Sequence, residues 1–253
     1  MSKTRVILHG CNGAMGQVVS STAAKQEDVV IVAGLDVADT GHCAYPVYTN
    51  PADCQEEADV IVDFSVAKAL DGLLSFALAR KLPVVICTTG FSAEQLAKIE
   101  ETSKQIPVLR SANMSLGVNT VFKLAAAAAQ VLAKEGYDME IVEKHHNKKA
   151  DAPSGTALAI ADAMNEVLNQ EYTYNKDRCA SHERRKPNEI GIASVRGGTI
   201  VGEHEVLFCG PDEVVEIKHT AYSKAIFAKG ALSAAAYLKE QKPGLYSMAD
   251  VIG

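Results

Sequence analysis

Five short apolar runs punctuate the first part of the chain: TRVILHG (4–10), VVIVAGLD (29–36), ADVIVDFS (58–65), PVVICTTG (83–90) and IPVLRSAN (106–113). They are rich in Val and Ile and nearly continuous in hydrophobicity, the pattern of parallel strands covered on both faces. Between them, 14–25, 67–81 and 92–104 carry helical periodicity. The last of these opens on Ser92 with Gln95 three positions on, the signature of a capping box. Strands separated by helices of this length form βαβ units, so this part predicts a doubly wound parallel sheet.

The pattern then changes. Residues 117–136 predict a long alanine-rich helix, DMEIVEKHH (138–146) a strand, 154–168 a helix, and the polar stretch 170–189 a mobile loop. GIASVRGG (191–198), EHEVLFCG (203–210) and EVVEIKHTA (213–221) add strands with no crossover-length helix between them, which favours a mixed or antiparallel sheet. A helix at 224–240 and a short tail close the chain. The fold class expected is therefore α/β: a Rossmann-type doubly wound domain at 1–116, then an α+β domain with a mixed sheet at 117–223. The segment 224–253 is expected to return to the first domain.

Composition narrows the function classes. With 253 residues there is chain enough for two cores, and 47% hydrophobic with 22% charged residues is ordinary globular composition. A formal net charge of −6 argues against general nucleic-acid binding while leaving room for a local basic pocket. The longest apolar stretch is interrupted by Lys123, so no run reaches the roughly 18 residues of a membrane span. The opening Met-Ser-Lys-Thr-Arg leads straight into a strand, which predicts no signal peptide and a cytoplasmic location. Six cysteines are scattered without metal-ligand or disulfide spacing, so neither a metal nor a disulfide framework is expected.

Two stretches carry candidate chemistry. HGCNGAMGQ sets Gly10, Gly13 and Gly16 between the first strand and its helix, where small residues let the backbone approach a pyrophosphate seated on helix N-terminal amides. Cys11 and Asn12 between the first two glycines depart from the commoner G-x-G-x-x-G spacing. Asp36 ends the second strand, where a carboxylate accepts hydrogen bonds from ribose hydroxyls and repels a 2′-phosphate. NADH is therefore the favoured cofactor, with NADPH possible if a cation from elsewhere compensates. CTTGF (87–91) and SANMS (111–115) fall at strand carboxyl ends, where open α/β sheets bind ligands; ordinary turn chemistry is the alternative there.

The second stretch is VEKHHNKKADAPSGTA (142–157). His145 and His146 end a strand, Lys149 follows, and Ser154, Gly155 and Thr156 begin a helix whose N-cap is either Asp151 or Ser154. Helix-start amides with a hydroxyl and an ammonium make a carboxylate cradle, and an imidazole beside it exchanges a proton near neutral pH. Together the two stretches predict hydride transfer to an anionic substrate. Arg196 balances charge there or plays an ordinary structural part.

GCNGAMG, DFS, TTGF, NMSLGVN, EKHHNKKADAPSGTA and GEH, spread over essentially the whole chain, resemble the dihydrodipicolinate reductases (4-hydroxy-tetrahydrodipicolinate reductases) of the diaminopimelate–lysine pathway. The resemblance implies reduction of a cyclic dianionic 4-hydroxy-tetrahydrodipicolinate to tetrahydrodipicolinate with NAD(P)H, a substrate domain following the dinucleotide-binding domain, and a homotetramer built by that second domain. It implies proton donation by His145 and Lys149, and substrate contacts from His146, Gly155 and Thr156, next to Ser154. On the cofactor side it covers Gly10, Cys11, Asn12, Gly13, Ala14, Met15, Asp36, Cys87, Thr88, Thr89, Ser111, Ala112, Asn113 and Met114. Cys87 stands where the family usually has glycine, and its side chain is expected to crowd the nicotinamide. Ser111-Ala112-Asn113 is a milder departure. The rivals are another Rossmann-type dehydrogenase of a small amino or carboxylic acid, and a sensor that binds the dinucleotide without chemistry.

Overall fold

A computed structural model describes residues 3–111 and 113–253. The chain divides into two compact units, one of residues up to Leu116 with Lys224–Gly253, the other Gly117–Ser223.

The first unit runs β1 (Thr4–His9), α1 (Ala14–Ala23), β2 (Val29–Leu35), β3 (Val47–Tyr48), β4 (Val60–Asp63), α2 (Leu70–Arg80), β5 (Val84–Ile86), α3 (Ala93–Ser103) and β6 (Pro107–Arg110). Its sheet has the order β12-β6-β5-β4-β1-β2-β3 among the described residues, where β12 is Gly244–Tyr246. All the recorded pairings are parallel. The alternation along β1 shows why the strands read as continuously apolar. Val6 and Leu8 join the cluster of Val19, Ala231 and Leu232, while Ile7 between them joins Leu70, Leu74 and Ile99 on the other side. A strand sandwiched between two helical layers has no face to leave polar.

The later helix α7 (Ala225–Leu238) belongs to this unit and buries Ala228, Ala231, Ala234 and Ala235. At Gly230 a Cβ would overlap the Met114 carbonyl, so glycine there sets how near the helix lies to the 113–115 segment. The tail is more than a tail: β12 pairs in parallel with β6, and α8 (Met248–Ile252) starts on a capping box of Ser247 and Asp250. Three residues are too few to show a period, and pairing rather than pattern makes them a strand.

The second unit runs α4 (Leu116–Leu132), β7 (Asp138–His145), α5 (Gly155–Glu166), β8 (Thr173–Asn175), α6 (Arg178–Ser181), β9 (Glu189–Arg196), β10 (Gly202–Cys209) and β11 (Val214–Ala221). The sheet order is β11-β10-β7-β9-β8. β10 is antiparallel to both neighbours, whereas β9 is parallel to β7 and β8, so the sheet is mixed. Val121, Ala125 and Ala129 of α4 and Ala157, Ile160, Ala161 and Met164 of α5 share one cluster with Met139, Ile141, Ile190, Val206 and Phe208 of the sheet.

Two expectations change here. The stretch 170–189 holds a strand and a helical turn. Arg185 fastens it by donating to Glu140 Oε1 (3.1 Å) and to the Met139 (2.8 Å) and Glu189 (2.6 Å) carbonyls. Polar anchoring leaves no apolar period to read. Second, Leu116–Glu135 is long and apolar enough, by length and composition alone, to cross a membrane despite Lys123. Its buried face packs on the sheet of its own unit.

Candidate active site

In the first unit, Gly10 has φ +80°, and a Cβ there would lie 2.6 Å from the Phe64 carbonyl oxygen. Only glycine fits a left-handed turn this close to another strand end. Gly13 caps α1, and a Cβ on Gly16 would overlap the Gly10 carbonyl, so the third glycine lets the helix start directly on the turn. Ala14 and Met15 open that helix. Asp36 fixes the turn: its Oδ2 accepts the Asn12 amide at 2.8 Å and its Oδ1 the Val37 amide at 2.7 Å. Asn12 in return donates to the Ala38 carbonyl at 2.6 Å and accepts from Thr40 Oγ1 at 2.9 Å. The Cys11 side chain is turned away into the core, wholly buried, and burial pushes its thiol up to about 12. Whatever Cys11 gives a ligand comes from its backbone.

A cleft of about 670 Å³ opens beside the turn, lined among others by Gly10, Gly13, Asp36, Phe64, Ser65 and Lys68. At its rim the buried Asp63 carboxylate accepts from Ser65 Oγ (2.6 Å) and Ser65 N (3.1 Å) and lies 2.8 Å from His9 Nδ1. This bracing of the DFS segment was not legible from spacing, because it joins the ends of two strands 54 residues apart. Further along the strand ends, Thr88 is buried, and its Oγ1 finds no hydrogen-bond partner among the described residues. Thr89 is exposed. Cys87 packs against the core cluster that holds Val85 and Met114. Burial, with the Asp63 charge, keeps its thiol well above the ordinary range. Ser111 follows β6, and Asn113 Oδ1 accepts the Ser115 amide at 2.8 Å, shaping the loop whose Met114 is buried. Ala112 lies outside the described residues.

In the second unit the strand register makes a site no local motif spells out. Pairing aligns His219 of β11 with His204 of β10, His204 with Glu143 of β7, and Glu143 with Ser194 of β9. Residues in register share a face, and two positions back on β7 that same face carries Ile141 of the core. The core face thus changes from apolar to polar at one end, where α5 begins. His145 follows Glu143 by two, and Arg196 is its partner across the β7–β9 pair.

Glu143 is completely buried. Its carboxylate accepts from Arg196 Nη1 (2.8 Å) and Nη2 (2.6 Å), accepts the Ser154 amide (3.1 Å), and lies 2.5 Å from His145 Nδ1. Burial by itself pushes the carboxyl up, but Arg196, Ser194, His145 and the Ser154 amide outweigh it and hold it at about 2. Desolvation pulls the His145 imidazole down, Glu143 pulls it back up, and the Lys149 and Arg196 charges lower it again. His204 meets the His145 ring edge-on at 5.1 Å between centroids, and burial lowers it to about 4, so it stays neutral.

Ser154 is the N-cap of α5: its Oγ accepts the Ala157 amide at 3.1 Å and lies 3.0 Å from His204 Nε2. It is 2% exposed, which leaves Gly155 and Thr156 as the accessible start of the helix. The Lys149 ammonium lies 2.9 Å from Asp151 Oδ1. His146 Nδ1 is buried with no hydrogen-bond partner among the described residues. Gly202 gives the His145 ring its room, since a Cβ there would lie 3.1 Å from Nε2. The arrangement can hold an anion at the helix start, place an ammonium near it, and present an imidazole whose Nδ1 is already engaged.

Two family models divide the chain between them: residues 4–114 match "Dihydrodipicolinate reductase, N-terminus" and residues 117–252 match "Dihydrodipicolinate reductase, C-terminus". The chain belongs to the dihydrodipicolinate reductase family. It is 55% identical over 248 residues, 98% of each chain, to the 4-hydroxy-tetrahydrodipicolinate reductase of Caldanaerobacter subterraneus subsp. tengcongensis. It is 49% identical over 249 residues, again 98% of each chain, to that of Clostridium novyi. Among solved structures, the dipicolinate-bound dihydrodipicolinate reductase from Paenisporosarcina sp. TG-14 superposes with a TM-score of 0.83 at 26% identity, covering 98% of this chain and 99% of the other. Dihydrodipicolinate reductases depend on a pyridine nucleotide, so the oxidoreductase expectation holds and the non-catalytic sensor is set aside.

Glu143 and His204, which build the polar end of the second sheet, stand inside the quoted segments without having been singled out there. Arg196 was left undecided. The available signal was a charged or imidazole residue at an inward position of an otherwise apolar strand.

Proposed function

We propose that the chain reduces 4-hydroxy-tetrahydrodipicolinate to tetrahydrodipicolinate, with the first unit holding the reduced pyridine nucleotide and the second the substrate. The observation that carries this reading is the polar end of the second sheet. There an imidazole engaged at Nδ1, an ammonium and a capped helix start converge on one stretch of chain.

The residues of the first unit fit such a cofactor. Gly10, Gly13 and Gly16 let the turn and the helix start pack tightly enough for a pyrophosphate to approach the helix N-terminus, Asp36 sets the ribose end, and the unpartnered Thr88 Oγ1 offers a polar contact at the strand ends. The backbone of Cys11 to Met15, with Cys87, Thr89 and the Ser111–Met114 loop, completes the binding surface. The bound nucleotide supplies a hydride. Asp36 favours NADH, while Lys68 in the same cleft is the cation that would admit a 2′-phosphate.

On the substrate side, the amides of Gly155 and Thr156 with the threonine hydroxyl take one carboxylate, favoured by the positive end of the helix. Lys149 leaves Asp151 to meet substrate charge, and His146 offers its unpartnered Nδ1. Departure of the 4-hydroxyl as water puts a proton on its oxygen while a neighbouring ring C–H gives one up. The hydride then taken up is matched by one proton at the substrate, so the sum is one hydride and one proton in and one water out. His145 and Lys149 supply the protons that are added. Fixing both carboxylates orients the reacting carbon, which is where proximity lowers the barrier. A homotetramer assembled through the second unit completes the proposal, its test being the mass in solution by light scattering.

Substrate generated in situ by the preceding pathway enzyme, with NADH and NADPH absorbance followed separately, tests the reading. Oxidation of either cofactor dependent on that substrate is expected, with NADH bound more tightly; no oxidation with either overturns it. His145→Gln is expected to lower kcat by about 10²–10⁴-fold while leaving cofactor affinity unchanged. Wild-type turnover in that variant would remove His145 from the chemistry.

A further inference from the structure

We propose that Glu143 is a positioning residue of the reduction: it holds His145 by Nδ1 so that Nε2 is the nitrogen that exchanges the proton, and it ties the start of α5 to the same carboxylate. This rests on the function proposed above.

The position itself is the first argument. Glu143 is completely buried on the inward face of β7, where the neighbouring inward residues Met139 and Ile141 are apolar. An ionised carboxylate survives there only if its oxygens are saturated by donors. They are. Arg196 contributes two nitrogens, Ser154 its amide, and His145 its ring. Arg196 alone would satisfy the charge, so balancing that charge does not require the contacts to His145 and Ser154. Those two contacts join the proton donor and the N-cap of the anion-binding helix to one rigid strand residue.

The second argument is the hydrogen bond's sense. A carboxylate held ionised is only an acceptor, so the nitrogen facing it must carry hydrogen. Nδ1–H to Glu143 leaves Nε2 as the acceptor in the neutral ring and the second donor in the imidazolium. Nε2 is the atom for which Gly202 leaves room. The groups facing the ring are Glu143 from its own strand, Arg196 from β9, Lys149 from the following loop and the neutral His204 from β10, with His219 of β11 behind His204. Without the Glu143 charge, His145 would be left beside the Arg196 and Lys149 cations, the latter paired with Asp151.

Glu143→Gln, Glu143→Asp and the wild-type chain distinguish this role from a purely structural one. In wild type, nitrogen NMR of labelled histidine at high pH is expected to show His145 protonated at Nδ1. In Glu143→Gln the side-chain amide donates instead, and the expected tautomer carries hydrogen on Nε2. With it, kcat falls by about a hundredfold or more. The pH limb for the protonated imidazole moves to lower pH, and cofactor affinity, set in the other unit, is unchanged. Glu143→Asp is expected to keep the Nδ1–H tautomer and recover part of kcat. A wild-type His145 protonated at Nε2, or wild-type kcat and pH profile in Glu143→Gln, would overturn the proposal. The wild-type tautomer decides it even if the Gln variant does not fold. Absence of turnover by the wild-type chain counts against the proposed function and leaves the tautomer result standing on its own.

Discussion

The glycine turn of the first unit and the polar row of the second are built on opposite plans. The turn lies within seven consecutive positions, Gly10 to Gly16, and works by leaving side chains out. The missing side chains at Gly10 and Gly16 let the turn close against Phe64 and let α1 start directly on it. The row gathers Glu143, Ser194, His204 and His219 from four strands and works by putting side chains in. One is a local device that a short motif specifies. The other exists only if three strand pairings keep their register, because a slip of one residue would send the row to the opposite face. Sites of the first kind fail by crowding, and sites of the second kind fail by loss of pairing or charge.

Acid should separate the two most strongly. His204 is held at about 4 in the fold and Glu143 at about 2, both below their ordinary values. For a group lowered by folding, stability is fully present above the unfolded pKa and lost as pH falls through the folded one. The His204 contribution therefore fades from about pH 6.5 toward 4, and that of Glu143 from about 4.3 toward 2, each on the order of 3 kcal/mol. Hydrogen exchange at pH 7 and pH 4 is expected to show protection lost first in β7, β9 and β10. If the first unit opened earlier, the electrostatic half of the contrast would fall.

Crowding the turn tests the other half. Gly10→Ala puts a methyl 2.6 Å from a carbonyl oxygen at φ +80°, a strain of about 2 kcal/mol. Loss of cofactor affinity is expected, with substrate-side tautomers and pH behaviour untouched; unchanged cofactor affinity would mean the turn does not hold the dinucleotide. The smallest effect belongs to Thr156→Val, which keeps the helix amides and removes a hydroxyl. An increase in KM of about tenfold with kcat nearly constant is expected. A fall in kcat instead would place that hydroxyl in the chemistry rather than in binding.

What was legible follows the same division. Strands β1, β2, β4, β5 and β6 of the first sheet, the capping box at Ser92 and Gln95, and the glycine turn rest on neighbours in sequence, and short-range sterics and burial on two faces mark them in the residues themselves. The two-residue β3 carries no such mark. The histidines and helix start of 145–156 were legible as a cluster, and the choice between Asp151 and Ser154 as N-cap was not. That choice falls to Ser154, whose amide donates to Glu143 on the preceding strand and whose hydroxyl lies 3.0 Å from His204 Nε2, 50 residues away. Segment 170–189 and the final strand were hidden for a related reason: Arg185 and the edge of β6 hold them, not an apolar period.

Residue order alone therefore determined where backbone must come close and which segments bury two faces, since those depend on side-chain size and hydrophobic spacing along a few consecutive positions. Tertiary structure decided which distant groups surround the Glu143–His145 pair, Arg196 from β9 and His204 from β10. The 2.5 Å contact between Glu143 and His145 lies within one strand, but the arginine that braces it comes from 53 residues away through the β7–β9 register, and register is a property of the assembled sheet.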